Sequence, residues 1–462
     1  MSFRFDIVHI LSRIAEEAGV WGVMAIGLAI VLLVGILIMR ARLLALALLF
    51  AAMCFSNFKE PIGTAAVAIR WISLICLVPL GITAINRRQG IVVLLLMIYA
   101  FFSIIFSVRS HDPLWSLQRS IALVLLIVGV CGSVQVLLER GGRPERLFKG
   151  MVFLAVIWAI VNVLPLRGYM RAPVEERYVG EAATVGYGAL VMGVLLPFTL
   201  WGVFHKWSHI WRIISAGTAA MLVVLLLFVA TRGGAFLGAI ACIPLLLRLS
   251  FKRLAVGALV LVLIAGSIAL VMRWTHPAQQ EYIYRRYIGF RGREITTGRK
   301  RLWSAAWNKC ASSPWLGHGS GTAILPRRRA GAFITTFHNA YLTAWYEAGI
   351  FGFIVFITAL FVVIRRGVFV FIRSRDHPDL QLDARLMLGL VFGLAAFSLV
   401  ENGIAGSTNI SIGMYLMTIA VIQHFWLRLQ PERIEERTFL PHEYYHQPYL
   451  EYPAAGVHRV SH

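Results

Sequence analysis

One apolar stretch, TTFHNAYLTAWYEAGIFG (residues 335–352), carries a histidine, an asparagine and a glutamate. Of these side-chain types, imidazole exchanges a proton near neutral pH, which is what a general base needs to activate a hydroxyl. Asn339, beside His338, is suited to start a helix by capping its free amide groups. Read as one helix over 338–352, the stretch puts Leu342 and Trp345 on the His338 face and turns Glu347 about 180° away. Glu347 is then expected to meet a neighbouring helix and to support the site, with His338 as the catalytic base.

Arginine is the second chemistry-bearing type. Arg177, Arg232, Arg299 and Arg301, with Arg285, Arg286, Arg291 and Arg293 near them in sequence, fall on or near one side of the apolar runs. Guanidinium groups grip phosphate oxygens two at a time and keep their charge, so such a cluster suits a diphosphate. Taken singly, an interfacial arginine equally meets lipid headgroups. Arg232 stands in VATRGGAFLG between two apolar runs, where the adjacent glycines allow close approach. His318, in LGHGSG, reads as a loop residue.

The scaffold for these residues is a chain of 462 residues, 59% hydrophobic and 14% charged, with a mean hydropathy of +0.75. That is more apolar surface than a soluble core buries, so the bilayer is the expected solvent. The 44 Lys+Arg against 22 Asp+Glu give a formal charge of +22. The basic residues sit in short breaks between apolar runs, a topology signal rather than a nucleic-acid surface. Cys54, Cys76, Cys131, Cys242 and Cys310 form no C-x-x-C pair, which points to neither a disulfide framework nor a zinc site. The N-terminal stretch is amphipathic, carries Glu16 and Glu17, and does not read as a cleaved signal peptide. Missing phosphate-loop, G-x-S-x-G, H-E-x-x-H and outer D-x-D motifs disfavour an ATP-driven pump, a serine hydrolase, a zinc protease and a metal-dependent nucleotide-sugar transferase.

Apolar runs at 20–39, 43–58, 65–86, 90–107, 118–138, 150–166, 184–204, 213–231, 234–248, 254–273, 346–364, 386–404 and 410–428 predict an all-α polytopic membrane protein with 12 or 13 transmembrane helices. Alternate breaks are arginine-rich and are expected to face the cytoplasm. Residues 274–345 then form one large periplasmic loop, with 1–273 an N-terminal bundle, 346–428 the C-terminal helices and 429–462 a disordered cytoplasmic tail. Within the loop, RKRLWSAAWNKCASS repeats apolar residues at helical spacing and predicts an amphipathic helix lying on the membrane.

HNAYLTAWYEAGIFG fits H-[NSQ]-x9-G-x-x-G, and together with ATRGG and TGRKRLWSAAWNKCASSPWLGHG it resembles the O-antigen ligase and O-antigen/exopolysaccharide polymerase superfamily over about 220–360. The family's R-x3-L pattern is displaced here, with Phe236 at the leucine position after Arg232 and Leu237 one later. The resemblance implies a bacterial inner-membrane glycosyltransferase that needs neither metal nor cofactor. It would move a glycan from undecaprenyl diphosphate to an acceptor on the periplasmic face, with membrane lipids and other polysaccharide-assembly proteins as partners and no nucleic acid. His338 would be the base, Arg232, Arg299, Arg177 and Arg301 the diphosphate ligands, and Asn339 and Glu347 their support. The acceptor would be a sugar of another lipid-linked repeat (polymerase, the favoured reading), the lipid A core (ligase) or a protein side chain. A lipid-linked sugar flippase is the alternative of another class, though polar residues gathered in one loop argue against two related transport halves.

Overall fold

The computed structural model describes residues 42–59, 61–88, 90–139, 143–171, 178, 184–247, 251–287, 299–326, 334–405 and 409–430. In hydrocarbon, backbone amides must pair within their own segment, and the apolar runs accordingly coil into helices. In chain order these are α1 (Arg42–Phe55), α2 (Ile62–Arg88), α3 (Ile91–Phe106), α4 (Pro113–Leu126), α5 (Gly132–Glu139), α6 (Pro144–Val163), α7 (Leu166–Arg171), α8 (Val185–Phe204) and α9 (His209–Val229). There follow α10 (Arg232–Leu246), α11 (Phe251–Trp274), α12 (Pro277–Tyr287), α13 (Arg299–Ser312), α14 (Ala340–Arg373), α15 (Gln381–Phe397) and α16 (Ile410–Arg428). A π turn at Ile127–Cys131 joins α4 to α5. A short antiparallel ribbon pairs β1 (Ile324–Pro326) with β2 (Ile334–Thr336), the one strand pair among the described residues.

Among the described residues, nine helices are long and apolar enough to cross a membrane, and two shorter apolar ones are Leu43–Phe55 and Arg232–Leu246. With α15 they coincide with twelve of the predicted runs; the run at 20–39, like residues 431–462, lies outside the described residues. On α11, Leu259, Leu261, Val262 and Leu270 all face outward. Such a surface is costly in water and neutral in lipid.

Small residues set the helix spacing. Gly193 of α8 lies on the backbone of Gly234, and Gly389 of α15 on that of Ala241, so α10 is held closely between two helices. This seam brings the first turn of α10 against Phe397 and Glu401. Farther along, the Trp201 indole donates to Asp383 at 2.8 Å, tying α8 to α15.

Three expectations change. α15 stops at Phe397 rather than running to 404. Ser398 donates to the Leu394 carbonyl at 2.7 Å and accepts the Ile404 amide at 3.3 Å, folding residues 398–405 into a turn. The amphipathic helix α13 rests on protein: Ala306 and Cys310 pack against Phe337 and Tyr346, and Trp307 meets Trp345 edge-on at 5.1 Å. Finally, α14 begins at Ala340 and is broken at Gly349, whose φ of 67° and ψ of 179° belong to a region open essentially to glycine alone.

That break pins residues 314–319 to the bundle. Carbonyls near it lose their helical amides, and buried carbonyls need partners. The His318 amide donates to Tyr346 and the Gly319 amide to Glu347, both at 3.0 Å, while Ile350 returns a bond to Pro314 at 2.9 Å. Gly349→Ala forces a Cβ onto the Trp315 carbonyl in a disfavoured conformation. It is expected to cost about 1–3 kcal/mol and to lower the thermal midpoint of the detergent-solubilised protein, with membrane insertion unchanged.

Candidate active site

His338 lies outside α14, in a left-handed turn with φ 49°. The single 338–352 helix is therefore corrected to a cap followed by a helix. Asn339 accepts the Tyr341 and Leu342 amides, each at 3.0 Å, and so ends the extended approach and starts the helix. The turn after α15 grips this cap from the other side. Asn402 Oδ1 accepts the Asn339 amide at 3.0 Å and the Thr343 hydroxyl at 2.9 Å, and the Ala340 amide donates to Ser398 at 2.8 Å.

Two turns locked together in this way set one carboxylate between an imidazole and a guanidinium. His338 Nδ1 is 2.7 Å from Glu401 Oε2, and Arg299 Nη2, at the start of α13, is 2.5 Å from Glu401 Oε1. The Trp303 indole donates to the His338 carbonyl at 3.4 Å. A neutral imidazole that gives Nδ1–H to the carboxylate keeps Nε2 as a proton acceptor, the tautomer required of a base. The His338 side chain is 34% exposed, so the ring remains within reach of a ligand.

Glu401 also lines a cavity of about 540 Å³, together with Arg119, Tyr187, Glu347, Asn402 and Asn409. Helix N-termini converge there: Thr184 and Gly186 at the start of α8 are in its wall, and Asn409 caps α16 by accepting the Ile412 amide at 3.1 Å. The first turn of α10 runs past Glu401: a Cβ added at Gly233 would lie 3.9 Å from it. Free amides and the positive ends of helices favour an anionic ligand at such a place.

Glu347 does not point away from the site. It faces the cavity, with Oε1 accepting the Gly321 amide at 2.7 Å and the Arg119 charge acting on it. The expected geometry fails because His338 is not on the helix from which the angle was counted. Of the arginines, Arg299 joins the His338 cluster, Arg232 opens α10 beside it, and Arg301 is exposed on α13. Arg285 pairs with Glu281 one turn earlier at 2.6 Å. Arg177, Arg291 and Arg293 lie outside the described residues. Sequence reasoning passed over Glu401, Asn402 and Arg119. Their signal was nevertheless present: a carboxylate and an amide ending an apolar run, and an arginine inside another, are costly unless used.

Membrane-length helices with a histidine–carboxylate pair and an anion-suited cavity beside it define a multi-pass membrane protein with a candidate active site. Residues 217–357, from within α9 to just past the Gly349 break, match the family model O-antigen ligase, which supports the resemblance to the O-antigen ligase/polymerase superfamily. No curated protein matches the chain. At the level of the family that match supports a glycan transferase, and the family implies a lipid-linked glycan donor and a polysaccharide acceptor.

His318, in the docked loop, stacks on Tyr346 with centroids 4.2 Å apart and planes 5° from parallel. Burial lowers its pKa from the ordinary 6.5, and the charges of Arg109, Lys309 and His111 push the same way, against the Tyr346 carbonyl. The fold thus holds the neutral ring: its contribution is complete above pH 6.5 and is lost as pH falls through the lower folded-state value. The thermal midpoint is expected to fall on acidification from about pH 7.5 to 5. His318→Phe, which keeps the stack, should flatten that dependence.

Proposed function

We propose that this protein transfers a glycan from a polyprenyl diphosphate to an acceptor hydroxyl, with His338 as general base. The observation that carries the reading is the His338–Glu401–Arg299 chain beside a cavity with the N-termini of α8 and α16 in its wall. His338 Nε2 takes the proton of the acceptor hydroxyl while its oxygen attacks the anomeric carbon. The bond from that carbon to the diphosphate oxygen breaks, and polyprenyl diphosphate leaves with the electron pair. Glu401 holds the ring in its accepting tautomer and steadies the imidazolium that forms. Arg232, the helix N-termini and Arg299, which also anchors Glu401, stabilise charge on the leaving diphosphate. Arg177 and Arg301 complete that set in the proposal. The 274–345 segment, pinned at Gly349, shields the donor from water.

In cells, the site faces the periplasm across the bacterial inner membrane. The run TGRKRLWSAAWNKCASSPWLGHG resembles exopolysaccharide polymerases, and the favoured acceptor is accordingly another lipid-linked repeat. A deletion strain should then accumulate single lipid-linked repeats. Intact long polymer lacking its anchor would instead indicate a ligase, and material held on the cytoplasmic side a flippase.

The base assignment is tested in purified membranes supplied with a lipid-diphosphate-linked repeat. His338→Ala should lower transfer by about 10²–10⁴-fold, and Glu401→Gln by about 10–100-fold, at unchanged protein level. Full activity of His338→Ala would remove the base from this account.

A further inference from the structure

The two helices that open at the catalytic cavity, α14 and α16, close on a second pocket at their far ends. Thr343 and Asn409, near their starts, line the cavity. Arg365, Arg366, Phe369, Trp426 and Gln430, near their ends, line a pocket of about 260 Å³. From the break at Gly349 to Arg366, α14 rises about 25 Å, most of the thickness of a bilayer's hydrocarbon. The pocket therefore belongs to the opposite membrane boundary.

Arg366 is buried there, at 7% exposure. Its Nη1 donates to the Gln423 amide oxygen, and its guanidinium lies over the Trp426 ring at 4.3 Å. Its Nε has no hydrogen-bond partner among the described residues. The like charge of Arg365, which is exposed, acts on it. Arg373 adds a third guanidinium, over the Phe369 ring at 5.8 Å. Among the described residues, none of these three arginines is in ion-pair contact with a carboxylate. Gly90, the N-cap of α3, packs so closely that an added Cβ would lie 2.6 Å from Arg366 Nη1, which brings the positive end of a third helix to the same group. The negative end of α16 tempers this field but gives Nε no acceptor. Gathered positive charge at low exposure is costly unless an anion meets it.

We propose that this pocket holds the phosphate of an anionic phospholipid in the leaflet opposite the reaction. Arg365 and Arg366 take the phosphate oxygens, and Phe369 and Trp426 pack against the glycerol. One turn toward the bilayer centre from Arg365, Phe361 is 65% exposed and offers the acyl chains carbon surface on the same helix face. A free phosphate would use the arginines alone, whereas the aromatic walls and Phe361 favour a lipid. Basic pockets between membrane helices suit such headgroups. The site is independent of the transfer reaction proposed above.

The test uses the full chain in neutral detergent, titrated with dioleoyl phosphatidylglycerol, dioleoyl phosphatidylcholine or inorganic phosphate, with bound lipid counted by native mass spectrometry. Phosphatidylglycerol is expected to bind about tenfold or more tightly than phosphatidylcholine and, by bridging α14 and α16, to raise the thermal midpoint. A photoreactive phosphatidylglycerol should label residues 365–369 and the end of α16. Arg365→Ala combined with Arg373→Ala, both at exposed positions, should weaken phosphatidylglycerol binding by about tenfold or more, with the lipid-free thermal midpoint unchanged. Arg366→Lys keeps the charge but loses the fork and the stack, and should weaken binding by about threefold or more. Equal affinity for the two lipids, unchanged affinity in the double variant and in Arg366→Lys, or labelling elsewhere would overturn the site. Full displacement of phosphatidylglycerol by millimolar inorganic phosphate would overturn the lipid as its occupant.

Discussion

Glu401 has two carboxylate oxygens and two nitrogen donors, an imidazole and a guanidinium, to satisfy, and the arrangement of the site follows from that division. His338 takes one oxygen and Arg299 the other, across 63 and 102 residues of sequence. No single helix can deliver such a cluster. It needs the cap before α14, the turn after α15 and the first turn of α13 to meet. Each is held by interactions of its own: the Asn339 cap, the Ser398 turn, and the packing of α13 on Phe337 and Tyr346. Because the three side chains remain partly exposed, the desolvation that makes fully buried ion clusters expensive is moderated.

The membrane supplies the second constraint. Helices in lipid gain little from burying apolar surface against one another, so close packing and polar ties decide which neighbours form. The glycine seams around α10 answer that demand and carry a functional consequence. By drawing α10 between α8 and α15, they set its N-terminus beside the turn that bears Glu401. The N-termini of α8 and α16 in the cavity wall, with that of α10 beside Glu401, make a setting that would favour an anion.

Much of this was legible in the sequence. Runs of bilayer length gave the helices, because in hydrocarbon apolar length nearly dictates helical structure. His338 and Asn339 stood out as polar residues at the edge of such a run. The partner of His338 did not, since pairing across 63 residues leaves no local periodicity. Glu347 was misjudged for a sharper reason. Asn339 as an N-cap and His338 inside the same helix are mutually exclusive, and the capping rule alone places the histidine outside. The two glycines of the H-[NSQ]-x9-G-x-x-G pattern were visible as small residues. That Gly349 is a helix break onto which a loop is hydrogen-bonded depends on its φ and on Pro314–Gly319, neither of which a spacing pattern records.

The claim at the centre of this account is that the cavity breaks a glycan–diphosphate bond as it forms a new glycosidic one. The direct measurement is stoichiometry, with purified protein in defined lipid and a single synthetic lipid-diphosphate-linked repeat. The account predicts one polyprenyl diphosphate released for every repeat joined, at equal rates. Release without a joined product, or a joined product without release, would contradict it.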